Sequence, residues 1–522
     1  MQVYEGSILT VDANDTVAKY LVEDGGKIVY VGDDLPMPYY AAPRTRLGQR
    51  ALIPSFVDTH EHLASFAMFN AGLNVMNARS TAEIIDMVKA FVKRSKAKLL
   101  IAFGASPYSV AEGRLLTRAE LDEACPDRPF FMVKYDGHAC VVNSALLALI
   151  DKDVKGLRGY HPDSGEMNQE SFFKVSDYVT GSLSIPDLVK NIQAAMDFLA
   201  ARGIGMVHTV SGIGFAGNLD ISMEKWVGKS AQSGFQVRVF PQPMDVSVAK
   251  KKGLPRIGGC FESALDGCYG SHDAAMNEPY VDEEGGNGVL YYSDEKVTAH
   301  CIEANRAGLQ IEMHAIGDAA FDQATRCLKA ALDDCPRADH RHGIIHACLP
   351  TEEGIRICAE YGIHFPMQTS FIGWPQEPDA YLASIMGEER ASRLNPLRTY
   401  WDAGIMISAG SDAPCTEPDP ILWMERACNH SVPSESLTIR EALRMCTYNG
   451  AWVCFDEKER GSLEVGKVAD MVILSANPYE CPKEKLGELR VEQLLLGGKP
   501  YTGQTQGIVA AILKGLTGKA KI

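Results

Sequence analysis

Between residues 51 and 454, short apolar runs alternate with helix-type patterns, and nothing else in the chain restricts its fold as much. Such alternation favours a parallel α/β sheet or barrel. Eight runs can be counted: Leu52 to Val57, Gly205 to Val210, Phe235 to Phe240, Gly259 to Leu265, Gln310 to His314, Gly343 to His346, Ile363 to Met367 and Ile405 to Asp412. Eight strands with helices between them predict a (β/α)8 TIM-like barrel, whose active site lies at the C-terminal ends of its strands.

The chemistry-bearing residues fall at those ends. The first run, from Ala51 to Val57, leads into Asp58-Thr59-His60-Glu61-His62. Alternate side chains of an extended chain share a face, so His60 and His62 can point together, as two imidazoles gripping one divalent cation must. A lone His-x-His is weak evidence. Its weight comes from His314, His346 and Asp412, which end three later runs in the same way. His208 ends the second run and is expected to face the same mouth, a candidate for substrate contact, although it reads more readily as a hydrogen-bonded core histidine than as a metal ligand. His342, four residues before His346, belongs to the other end of its strand and is structural.

Some 140 residues separate the first two runs, too many for one crossover, so a segment of about 66–195 reads as an insertion. It holds the polar cluster Lys134-Tyr135-Asp136-Gly137-His138. A long segment at a barrel mouth is more often a substrate-binding cap than catalytic core. Asp136 and His138 either grip substrate or anchor that segment. Tyr108, Phe371 and Trp374 either line a pocket or are simply packed. Residues 1–50 read as short strands with polar turns, and residues 455–505 supply further apolar strands. A small sheet is unstable alone, so the two ends are expected to form one β-sandwich-like domain beside the barrel of 51–454, followed by a C-terminal helix over 506–522. The acidic, glycine-rich stretch from Asp282 to Gly288 is expected to be an exposed loop.

Bulk properties exclude some partners. The net charge of −16 argues against nucleic acid or an anionic membrane, both of which need a basic face. The N-terminus lacks a signal-peptide pattern, and no apolar run is long enough to span a bilayer. Fourteen cysteines without a metal-type Cys-x-x-Cys pair read as reduced thiols in a cytoplasm. Cys140, Cys348 and Cys415 lie near the motifs but read as packing residues.

Taken together, the segments Phe56 to His62, Asp136 to Ser144, His314 to Asp318, His342 to His346, Ala409 to Pro414 and Gly466 to Asp470 resemble the amidohydrolase superfamily, and within it the branch of N-substituted formamide deformylases. The resemblance covers nearly the whole chain. It implies a metal-dependent hydrolase in a distorted barrel flanked by a β-sandwich-like domain from both termini. By motif position His60 and His62 would bind the more buried metal, His314 and His346 a second or a shared one, and Asp412 would touch metal and act as general base. Many relatives carry on the fourth strand a carboxylated lysine that bridges two metals. Here Glu262 stands where that lysine is expected, before Asp266-Gly267. Glu262 either bridges as an oxygen ligand or stands outside the ligand set of a single metal; Lys134 is the other candidate for a modified lysine. The expected activity is cleavage of a non-peptide carbon–nitrogen bond in a small molecule (an amide, formamide or cyclic amide), with one or two Zn²⁺ or similar ions. The alternatives are a deaminase or esterase on the same metal water, a metal-dependent lyase or isomerase, and a binding protein that kept the scaffold. Homo-oligomerisation is left open.

Overall fold

Eight short strands, each buried along most of its length, surround the centre of the molecule: β1 (Phe56–Glu61), β2 (Ile204–Ser211), β3 (Gln236–Pro241), β4 (Arg256–Ala264), β5 (Gln310–Ala315), β6 (Gly343–His346), β7 (Phe365–Met367) and β8 (Ile407–Ala409). The structure is a computed structural model that describes residues 1–213, 215–231, 233–282, 285–503, 507–518 and 520–522. β2 pairs in parallel with β1 and β3, β5 with β4 and β6, and β7 with β8. A parallel bridge from Gly343 to His364 joins β6 to β7, and β4 runs beside β3. The ring closes where the Asp412 amide donates to the His60 carbonyl at 2.7 Å and the His62 amide to the Ala413 carbonyl at 2.9 Å.

Helices cover the outside by burying one stripe each. The helix Ile185–Ala201 starts at Ser184, whose side chain accepts from the Asp187 amide. Its buried Leu188, Val189, Ile192, Ala195, Met196 and Leu199 recur at helical spacing. Burial of each large member of that stripe stabilises the fold by about 2 kcal/mol.

The first strand differs from expectation. The apolar run from Ala51 to Val57 is divided at Ser55. Ala51 to Pro54 end the strand Arg44–Pro54, which pairs with Gln2–Leu9 and Met471–Leu474 in a seven-stranded sheet built from both ends of the chain. Only from Phe56 onward does the chain enter the barrel. Both halves are buried on all sides, so hydrophobic pattern does not reveal the break.

Between β1 and β2 a six-stranded sheet carries four helices, Thr81–Arg94, Arg118–Ala124, Ser144–Val154 and Gln169–Gly181, with its own apolar clusters. Near the C-terminus the helix Ile508–Thr517 packs on Leu219–Ser230; residues 506 and 519 of the helix expected over 506–522 lie outside the described residues. So do residues 283 and 284 of the expected acidic loop. Among the described residues no helix is long and apolar enough to cross a membrane.

Candidate metal centre

The strand ends deliver their histidines to one point. His60 lies on β1, and His62 immediately precedes the helix Leu63–Asn70, so the two rings meet edge to face at 5.4 Å between centroids. Asp412 follows β8; its Oδ1 lies 3.2 Å from both His60 Nε2 and His62 Nε2. Neither imidazole aims an N–H at that oxygen, which makes no directed hydrogen bond although it is buried. His346, at the end of β6, lies with its ring centroid 5.4 Å from that of His60 and 4.6 Å from that of His314 at the end of β5. The structure therefore brings His60, His62, His314, His346 and Asp412 together.

A sixth residue stands among them, and the sequence reading missed it. Cys260 Sγ lies 3.3 Å from His60 Nε2 and 3.7 Å from His346 Nε2. Candidate ligand atoms of His60, His62, Cys260 and Asp412 all lie within 4.8 Å of one another, and so do those of Cys260, His314 and His346. Donors bound to one tetrahedral zinc stand about 3.3–3.6 Å apart, given zinc–nitrogen bonds near 2.05 Å and zinc–sulfur bonds near 2.3 Å. The spacings of 3.2, 3.3 and 3.7 Å lie close to that range, and the donor set of imidazole, thiol and carboxylate fits a divalent metal ion of the zinc type.

Glu262 is not part of this cluster. Its side chain is exposed at the cavity edge, and its carbonyl accepts from the Tyr292 hydroxyl. The cause is a bulge in β4. Gly259 pairs with Met313, but the next pair is Ala264 with His314, so residues 260–263 stand outside the ladder. Counting back from Asp266 along a regular strand therefore selects the wrong residue. The one local sign of the break is Gly258-Gly259, since paired glycines inside a strand mark bulges. At Gly258 a Cβ would fall 1.8 Å from the Glu312 carbonyl oxygen, so only glycine fits.

Surrounding groups orient the candidate ligands. Gln368 Oε1 accepts from His346 Nδ1 at 2.6 Å, which leaves Nε2 as the free lone pair. Asp266 Oδ1 stands 3.3 Å from His314 Nδ1 while the carboxylate accepts from the amides of Ala275, Ile316 and Gly317. Asp58 ties β1 to β8 by accepting from the Ser411 hydroxyl at 2.6 Å and amide at 2.9 Å. His346 and Asp412 both adopt left-handed backbone angles, φ 69° and 54°. Each such residue costs on the order of 1–3 kcal/mol, a burden typical of functional sites. Burial holds His62 below the usual imidazole range and His346 well below it, so both rings are neutral and present lone pairs.

The cluster opens into a cavity of about 1660 Å³. Asp136, His138 and Trp374 line it, as do Tyr108 and Phe371. Asp136 is occupied by the protein itself: it accepts from Lys134 Nζ at 2.8 Å, from the Ser271 hydroxyl at 3.2 Å and from the His138 amide at 3.1 Å. It thus clamps the inserted segment to the loop after β4. Burial opposes the charge of Lys134, but Asp136 beside it outweighs that and raises its pKa, keeping it an ammonium. Phe371 stacks near His346 at 5.8 Å and Trp374 on Phe371 at 4.9 Å, forming one aromatic wall. Phe261 forms another beside His62 at 5.2 Å. His208 does not reach the cavity. It sits lower in the barrel near Arg238 and Arg256, and burial with those cations holds it far below the normal histidine range. His342 is structural: Nδ1 accepts from the Ile311 amide and Nε2 faces Asn305.

An eight-stranded barrel with histidine, cysteine and carboxylate donors gathered at its mouth defines the class of metal-dependent hydrolases with a TIM-type barrel. Residues 47–501 match the amidohydrolase family, and the chain belongs to that family. It is 25% identical to N-substituted formamide deformylase of Arthrobacter pascens, over 95% of this chain and 97% of that protein. It is likewise 25% identical to YtcJ of Bacillus subtilis (strain 168), over 88% and 91%. An uncharacterized metal-dependent hydrolase from Pyrococcus furiosus shares the fold, with a TM-score of 0.74 and 24% identity over 92% of this chain and all of that one.

Proposed function

We propose that the protein hydrolyses a non-peptide carbon–nitrogen bond, that of an amide, formamide or cyclic amide, in a small molecule. The observation that carries this reading is Asp412 Oδ1 standing 3.2 Å from the Nε2 atoms of both His60 and His62 without a directed hydrogen bond to either. His60, His62 and Asp412 would hold one divalent cation, and His314 with His346 a second. A cation held there would lower the pKa of a water molecule towards neutrality and would polarise a carbonyl oxygen. The Asp412 carboxylate takes the proton as the new carbon–oxygen bond forms and delivers it to the nitrogen as the carbon–nitrogen bond breaks. The aromatic walls of Phe261 and of Phe371 with Trp374 suit a substrate with a flat apolar substituent. The similarity to a formamide deformylase supports the bond type. Imidazole ligands favour zinc-type ions over magnesium or calcium. All fourteen cysteines are free thiols, which supports a reducing, cytoplasmic setting. The β-domain from both termini and the inserted segment complete this reading as scaffold and cap.

The test is metal analysis of the purified protein combined with a screen of N-substituted formamides and cyclic amides. Chelation should abolish turnover and added Zn²⁺ restore it. Full activity in metal-free protein would sink the proposal. Release of ammonia from an added amino-substituted heterocycle, with no turnover of any amide, would instead identify a deaminase.

A further inference from the structure

Cys260 belongs to both groups of converging donors, and no other residue does. It is buried, yet it is absent from every apolar cluster of the core, so packing does not account for it. Its surroundings are polar: His60 Nε2 on one side at 3.3 Å and His346 Nε2 on the other at 3.7 Å. The backbone is shaped to put it there. β4 leaves its ladder after Gly259, whose φ is 134°, and Phe261 adopts φ 53°, a conformation unfavourable to a bulky residue. That contortion turns Cys260 inward and sets Phe261 against His62.

Resting on the metal-hydrolase reading above, we propose that the Cys260 thiolate bridges two divalent cations, one held by His60, His62 and Asp412 and the other by His314 and His346. Sulfur has lone pairs enough for two ions. A shared thiolate carries one negative charge midway between two cations, which reduces their repulsion. Five other donors then complete the pair without any carboxylate from β4. A soft bridging ligand also biases the site towards zinc, cobalt or cadmium and away from magnesium or calcium.

The experiment needs no substrate, so it stands apart from the choice of reaction. Apo-protein is titrated with Co²⁺ while metal content and the near-ultraviolet spectrum are followed. The expected result is two cobalt ions per chain and a sulfur-to-cobalt charge-transfer band that continues to change as the second ion binds. Cys260→Ala should lose the band and at least one of the two ions. Binding of fewer than two ions by the wild type, absence of the band, or retention of both ions by Cys260→Ala would overturn the bridge. If Cys260→Ala fails to fold, Cys260→Asp decides: it should keep two ions through its carboxylate but lack the band, and a band that persists refutes the assignment.

Discussion

The two ends of the barrel contain the same kinds of buried polar residue, arranged in opposite ways. At the floor, charge meets opposite charge. Arg238 forms a bidentate pair with Asp456 at 2.7 and 3.1 Å, joined there by Lys521, and Arg341 pairs with Glu457 at 2.9 Å. At the mouth, donors meet donors: four imidazoles, a thiol and a carboxylate oxygen face one another with few directed hydrogen bonds. Burying a polar group without a partner is costly. The two ion pairs of the floor avoid that cost within the chain, although His208 and Arg256 Nε beside them make no hydrogen bond among the described residues. The mouth accepts it, because atoms that saturate one another could not ligate a cation. The same contrast explains the histidines. His342 bonds to the Ile311 amide and serves structure, while His346 gives one nitrogen to Gln368 and keeps the other for the centre.

The contrast can be broken at either end. At the mouth, Asp412→Asn should lower turnover by about 10²–10⁴-fold, the usual worth of a positioned acid–base group, while the melting temperature of metal-free protein changes little; steady-state kinetics and calorimetry read both, and unchanged turnover would remove Asp412 from the reaction. At the floor, Arg238→Ala leaves Asp456 buried with only Lys521, and should cost about 3–5 kcal/mol of stability in urea melts. Turnover per folded molecule should survive; selective loss of activity would mean that the two ends are not separate.

Glu377 sharpens the comparison, since it sits between the two regimes. It lines the cavity, and its Oε1 accepts only from the neutral Tyr135 hydroxyl and Gly270 amide. Burial pushes its carboxyl up to about 7 from 4.5. Between those values the folded state keeps a proton that the unfolded state has lost, so this group's contribution falls as pH rises from about 4.5 to 7. Unfolding free energies across that window should therefore decline less in Glu377→Gln than in the wild type, by no more than about 3 kcal/mol. Parallel curves would refute the shift. The smallest effect is expected for Gln368→Leu, which frees His346 Nδ1. It should weaken metal affinity about 10–100-fold, as loss of a partner that orients a ligand does, and competition with a chelating dye measures it.

Five of the cluster residues were legible because each ends an apolar run, and the end of a barrel strand is a position that local pattern specifies. His60 and His62 carried the added mark of two-residue spacing. Glu262 misled because counting from Asp266 assumes a regular strand, whereas β4 bulges by four residues against β5. His208 misled because β2 continues three residues past it, to Ser211, which leaves it below the mouth. The run from Ala51 to Val57 misled because two different sheets bury its two halves equally.

What the sequence determined by itself was the alternation of strand and helix, the positions of the strand ends, and hence the histidines and aspartate that gather there. These depend on side-chain periodicity, which is local. The tertiary structure alone decided which residue of β4 faces the centre, that Asp136 clamps to Lys134 and Ser271, and that Cys260 stands between the two groups of donors. Those outcomes depend on how one strand's hydrogen bonds slip against its neighbour's, and no residue spacing within a single strand encodes that.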